Sequence, residues 1–218
     1  MSKDSKVIFI FLVLLVFFVA ILLIRLITTD QLIQQEQKYL SGDSASTQSL
    51  TEPVLKVSDP VLGAKNGSVD IFVFEDFTCA YCAQISGVLN QLVEKFPSKV
   101  RVVWKDFANS SSAVSLQAAV AARCAQTGGK FWEFHDTLFA NQDKLNNNFY
   151  VETAAALGLN QNTFEKCLAN QETISLVQDG SNEGLALDID GTPYLFVNGQ
   201  RISGAASLEQ LEEIINAI

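Results

Sequence analysis

Two cysteines one helical turn apart, Cys79 and Cys82, are the residues best spaced to do chemistry. They close the run Ile71-Phe-Val-Phe-Glu-Asp-Phe-Thr-Cys-Ala-Tyr-Cys82. Sulfurs at this spacing can exchange disulfides, form a structural bridge or supply half of a zinc site. Structural zinc needs a second ligand pair. The chain offers only the widely separated Cys124 and Cys167 and a single histidine, His135. The flanking sequence favours a redox pair. Ile71 to Phe74 is a continuous apolar run that suits a strand covered on both faces. Beyond it, Ile85, Val88, Leu89, Leu92, Val93 and Phe96 mark one face of a helix from Ala80, stopped by Pro97. Cys79 then sits at a helix start, where unpaired N–H groups and partial positive charge favour the thiolate, the nucleophilic form. Cys82, one turn further in, is placed to attack a mixed disulfide on Cys79 and resolve it.

The elements that must position this pair follow from pattern. Strands at Val69 to Phe74 and Lys99 to Lys105 flank the cysteine helix, with Leu62 to Ser68 as a turn before them. Such a βαβ unit normally closes right-handed into a parallel pair. Ser110, Ser111 or Ser112 can cap a helix through Ala113 to Gln126. Phe131, Phe134, Leu138 and Phe139 stripe the next one. A break at Asn146-Asn-Asn148 precedes helical runs at Phe149 to Leu157, Thr163 to Leu168 and Ile174 to Leu187, the last interrupted by Gly180 and Gly184. Tyr194 to Val197, the turn Asn198-Gly199, and Arg201-Ile202 read as a hairpin. Ser207 caps a closing amphipathic helix. The fold class is α/β: βαβ, a helical insert, then ββα.

The N-terminus carries a different signal. Val7 to Ile24 is an uncharged apolar run, roughly 27 Å long as a helix and close to the ~30 Å hydrocarbon core of a bilayer. Lys3 and Lys6 before it keep that end cytoplasmic and put the rest outside, where disulfides persist. A cleaved signal peptide is the alternative, although no clean A-x-A site follows. The expected organisation is an anchor over 1–27, a Gln/Ser/Thr-rich linker over 28–58 and a folded domain over 59–218. A net charge of −9, with bases Lys3, Lys6 and Arg25 spent beside the anchor, argues against nucleic acid binding.

Four blocks, in order, carry a family resemblance: Glu75 to Cys82, Gly129 to Phe139, Phe164 to Leu168, and Gly191-Thr-Pro-Tyr-Leu-Phe-Val-Asn-Gly199. Over about 60–218 the chain resembles the DsbA-like thiol-disulfide oxidoreductases of the thioredoxin superfamily, in their membrane-anchored bacterial form. The resemblance implies a thioredoxin fold with a helical insertion at about 108–188. It implies Cys79 and Cys82 as the redox pair, Thr78, Ala80 and Tyr81 as its loop, and Thr192-Pro193 as a cis-proline loop that meets substrate peptide. It implies disulfide donation to exported proteins, reoxidation by a quinone-linked membrane partner, and no metal or cofactor. A reductase or isomerase fed by a transmembrane donor, or a redox-quiet adaptor, are the alternatives. The chain departs from the family in two places. Ala80 stands where proline is common. Val73 stands where many members bury an acid, so Glu75, otherwise a solvated residue at a strand end, becomes the candidate for proton transfer. If Cys79 pairs with Cys82, Cys124 and Cys167 can pair only with each other, for roughly 3–4 kcal/mol of stabilisation; two buried free thiols are the alternative. His135 reads as a packing or capping residue.

Overall fold

The computed structural model describes residues 17–22, 24–25 and 50–218. The chain divides into two units, Met1–Gln48 and Ser49–Ile218. In the first, residues 17–22 and 24–25 are helical and their apolar side chains, Phe17 and Ile21 among them, are exposed. Most of the expected anchor, Val7 to Ile24, lies outside the described residues. Among the described residues no helix is long and apolar enough to cross a membrane.

The second unit is built on a five-stranded mixed sheet. Its strands are β1 (Val61–Gly63), β2 (Val69–Glu75), β3 (Val100–Asp106), β4 (Tyr194–Val197) and β5 (Gln200–Ser203), in spatial order β1-β3-β2-β4-β5. β2 lies at the centre. It pairs parallel with β3, from Val69 opposite Val100 to Glu75 opposite Asp106, and antiparallel with β4. Val69, Ile71, Val73 and Phe74 are fully buried, which is why the strand reads as a continuous apolar run. β1 replaces part of the expected turn at Leu62 to Ser68. Three residues are too few to show a period, and Gly63, at φ +88°, ends the strand in a conformation that favours glycine.

Helices α1 (Ala80–Lys95) and α7 (Leu208–Ala217) share one core with the sheet. Ile85, Leu89, Leu92, Leu211 and Ile215 pack there with Ile71, Val73, Val102 and Leu195. Each such side chain contributes about 1.5–3 kcal/mol by burial. Between β3 and β4 comes the helical insertion: α2 (Ala113–Thr127), α3 (Phe131–Phe139), a 3₁₀ turn (Gln142–Lys144), α4 (Asn147–Ala156), α5 (Gln161–Leu168) and α6 (Gln171–Ala186). α2 is its hub; Ala118, Ala119, Ala121, Ala122 and Ala125 are buried and let neighbouring helices approach closely. Side-chain caps start the helices: Ser112 for α2, Asn146 for α4, Asn160 for α5, Asn170 for α6, and a full capping box at Ser207 for α7.

Two local expectations are corrected. Asn146 alone forms the break before α4, because its side chain accepts the Phe149 N–H and opens the helix at once. Gly180 and Gly184 do not interrupt α6. They let it lie against the end of β3: a Cβ at Gly180 would stand 2.8 Å from the Asp106 carbonyl oxygen, and one at Gly184 2.4 Å from the Phe107 ring.

The segment from Leu50 to Asp59, most of it within the expected linker, is tied to the domain. The Val54 N–H donates to Glu183 (2.9 Å) and its carbonyl accepts from Lys105 Nζ (2.6 Å). Asp59 pairs with Lys105 at 2.7 Å, and Lys56 with Glu183 at 2.6 Å. Arg123 and Gln126 both donate to the Ser58 carbonyl. Cys124 and Cys167 are disulfide-bonded, tying α2 to α5 across a sequence separation of 43.

Candidate active site

β2 delivers its chain end to the start of α1, and Cys79 is the N-cap of that helix, in extended conformation. The Cys82 and Ala83 N–H groups donate to the Cys79 carbonyl, so the first turn closes directly beneath the sulfur. Cys79 is half-buried and Cys82 fully buried; both are free thiols. Tyr81 projects outward, 63% exposed. The Cys79 thiol donates to the Thr192 carbonyl at 3.4 Å. The Thr192–Pro193 peptide is cis, and β4 follows it, so the sheet itself sets this loop opposite the cysteines.

The turn before Cys79 is held by residues that sequence reasoning did not single out. Asp76 is buried and its carboxylate accepts from the Thr78 N–H and hydroxyl, the Ser115 hydroxyl and the Asn109 N–H, at 2.8 to 3.1 Å. Only the bond to Thr78 has a local signal that could have found it, an Asp with a Thr two residues on. Gln142, in the 3₁₀ turn of the insertion, donates to the carbonyls of Phe77 (2.8 Å) and Cys79 (2.9 Å). No local pattern marks that contact. The insertion thus clasps the cysteine loop through Gln142.

Glu75, the last residue of β2, is 1% exposed, not solvated as one reading had it. Burial pushes its pKa up, partly opposed by His135. His135 Nε2 stands 3.9 Å from Glu75 Oε2, too far for a hydrogen bond. His135 Nδ1 is 2.8 Å from Asp136 Oδ1. Its ring is packed edge-on against Trp104 and Phe139, with Phe77 and Phe131 beside it. Burial works against its charged form, but Asp136 and Glu75 outweigh that and raise its pKa. Cys82 is pushed up by burial first and by the Glu75 charge second, so it is held as a thiol. Among the described residues no cluster of His, Cys, Asp or Glu could hold a metal ion.

A cleft of about 540 Å³ opens beside Cys79, lined by Thr78, Phe107, Leu185, Ile189 and Thr192 among others. Leu185 is 62% exposed on its rim. A hollow of about 660 Å³ between α4 and α5 is lined largely by Asn, Gln and Glu and lies away from both thiols.

A strand that ends in C-x-x-C at a helix start, opposite a cis-proline loop, defines a thioredoxin-type redox centre. Comparison with known proteins agrees. The family model described as Thioredoxin matches residues 56–217, and the chain belongs to that family. Its fold is shared with the thiol-disulfide exchange protein α-DsbA2 of Wolbachia pipientis (TM-score 0.68, 21% identity, 74% of this chain and 88% of that one). It is shared too with a thioredoxin-like oxidoreductase from Silicibacter pomeroyi (0.68, 26%, 78% and 95%) and the catalytic domain of Proteus mirabilis ScsC (0.65, 23%, 74% and 89%). Curated relatives include the Na(+)/H(+) antiporter NhaA 3 of Salinispora tropica, 32% identical over 177 residues, which are 81% of this chain and 27% of that protein. NhaA 1 of Salinispora arenicola is 31% identical over 180 residues, 82% and 27%. The chain spans about a quarter of the length of these relatives.

Proposed function

We propose that this chain is a thiol-disulfide oxidoreductase held at the outer side of a membrane by its N-terminal apolar segment. It works as an oxidase that donates the Cys79–Cys82 disulfide to exported proteins. The observation that carries this reading is the asymmetry of the pair: Cys79 is reachable at the mouth of a cleft and faces the Thr192 carbonyl, while Cys82 is sealed beneath it. A substrate thiolate attacks Cys79 Sγ; the Cys79–Cys82 bond breaks and its electron pair stays on Cys82 Sγ, which takes up a proton. A second substrate thiolate then displaces Cys79, whose place at the helix start makes it a good leaving group. Main chain near Thr192 offers an extended peptide a strand-like partner beside the cleft. A quinone-linked membrane oxidase would restore the disulfide. The test is the reduction potential of the full chain equilibrated in glutathione buffers. An oxidase requires a value above about −200 mV; a value near −270 mV would assign the chain to reduction instead.

A further inference from the structure

The cleft beside Cys79 has α6 as one of its walls, and the hold on that helix is divided. Ser181 and Leu185, one turn apart on α6, line the cleft together with Phe107 and Ile189. Glu183 leaves the helix from nearly the opposite side, because successive residues turn by about 100°. Between these two faces Gly180 and Gly184 lie against the Asp106 main chain and the Phe107 ring. Glycines offer no side chains to interlock with the sheet, so this contact brings the helix close without keying its position. Ile174 and Val177 key the first half of α6 into the core of the insertion. The second half, which carries the cleft wall, needs another hold.

Residues 50–59 supply it. Glu183 accepts from the Val54 N–H at 2.9 Å and pairs with Lys56 at 2.6 Å and with Lys105 of β3 at 3.1 Å. Lys105 is itself tied to Asp59 at 2.7 Å and to the Val54 carbonyl at 2.6 Å, so segment, strand and helix share one charge cluster. The segment is fixed separately at its far end, where Arg123 and Gln126 donate to the Ser58 carbonyl. At its near end Leu50 packs against the apolar cluster of Phe74, Leu187, Ile189 and Phe196, which Phe107 also joins. The segment thus meets the cleft wall at two points, Glu183 and the Ile189 cluster, without lining the cleft itself.

We propose that residues 50–59 form a positioning strap for the substrate cleft, holding the α6 wall through Glu183 and the Phe107–Ile189 side through Leu50. This deepens the exchange reading and rests on it. Leu50, Lys56 and Glu183 are positioning residues; they touch neither the reacting sulfurs nor the visiting peptide. Loosening the strap lets Leu185 and Ile189 leave the place where a peptide side chain would meet them. Binding of an extended substrate then weakens, while reaction at the exposed sulfur is untouched.

The test uses the full chain in detergent with glutathione disulfide as oxidant. The thiol substrate is an extended synthetic peptide with two cysteines flanked by apolar residues. Dithiothreitol, too small to need the cleft, serves as the control reductant. The double variant Leu50→Ser/Lys56→Met alters only the strap. It is expected to raise KM for the peptide by about tenfold with kcat unchanged, the pattern of binding lost equally from ground and transition states. Reduction of the Cys79–Cys82 disulfide by dithiothreitol keeps its wild-type rate. Lys56→Arg, which preserves the pair with Glu183, keeps the wild-type KM. Hydrogen exchange gives a readout independent of turnover. In the double variant the amides of residues 181–187 are expected to exchange about tenfold faster, well beyond any change in β2 and α1. A wild-type KM in the double variant, or unchanged exchange over 181–187, overturns the strap. So does equal slowing with peptide and dithiothreitol, or equal acceleration of exchange in β2 and α1, which marks general destabilisation. Selective acceleration over 181–187 in a chain whose wild type does not oxidise the peptide leaves the strap standing and removes the oxidase reading.

Discussion

One residue, Glu75, separates a chemical role from a structural one. A carboxyl raised by burial is neutral in the fold at low pH and resists ionisation as pH rises. Its favourable contribution is complete below the unfolded value, about 4.3, and is lost as pH climbs toward the raised folded value. At neutral pH the group is therefore a burden that a purely structural site would not retain. Glu75→Leu, similar in volume, is expected to raise stability at pH 7 by about 1 kcal/mol, with no gain at pH 4, while slowing resolution by Cys82. Denaturant titrations at the two pH values check this; equal destabilisation at both would assign Glu75 to packing. At this scale the sequence was informative where spacing is local. Cys79 and Cys82 declare themselves within a dozen residues. Glu75, at the end of β2, and His135, on α3, come within 3.9 Å only in the fold, and no short window of sequence contains both.

Elements hold these residues by long-range clasps, and the clasps were the least legible feature. The strands, the cysteine helix, the hairpin and the capped helices follow from periodicity and turn residues. The three-residue β1 and the role of Gly180 and Gly184 as contact points do not, because each depends on what lies across the sheet. The same holds for residues 50–59, whose polar composition reads as a tether but whose main chain is anchored through Glu183 on α6. Glu183 is 5% exposed at its side chain. Burial pushes its pKa up, but Lys56, the Val54 N–H and Lys105 outweigh that and hold it below the usual carboxylate range. The sign is thus opposite to that of Glu75. Its contribution is complete above about pH 4.3 and is lost as pH falls through the lower folded value. Hydrogen exchange of residues 50–59 is expected to remain slow at pH 6 and rise below pH 4. Glu183→Ala is expected to cost about 3 kcal/mol, since Lys105 keeps only Asp59 as a charged partner, beside the Val54 carbonyl, and the Val54 N–H loses its acceptor. Slow exchange at pH 3, or a loss under about 1 kcal/mol, would show that apolar contacts hold this segment instead.

For the molecule as a whole, the division of labour is between a sheet that fixes the redox pair and an insertion that covers it. The Cys124–Cys167 bridge stiffens the insertion away from the thiols, closing a loop worth about 4 kcal/mol in the chain-entropy model. The net charge of −9 argues against polyanion attraction, and under the proposed function partners would be selected by thiol chemistry and by the cleft beside Cys79. The proposed anchor would keep that cleft among newly exported chains. The central claim is that one sulfur meets substrates and the other only resolves. Cysteine trapping in cells tests it most directly. Full chain carrying Cys82→Ala should accumulate mixed disulfides with exported proteins through Cys79, and full chain carrying Cys79→Ala should accumulate none. Equal trapping by both variants, or trapping through Cys82 alone, would contradict the account.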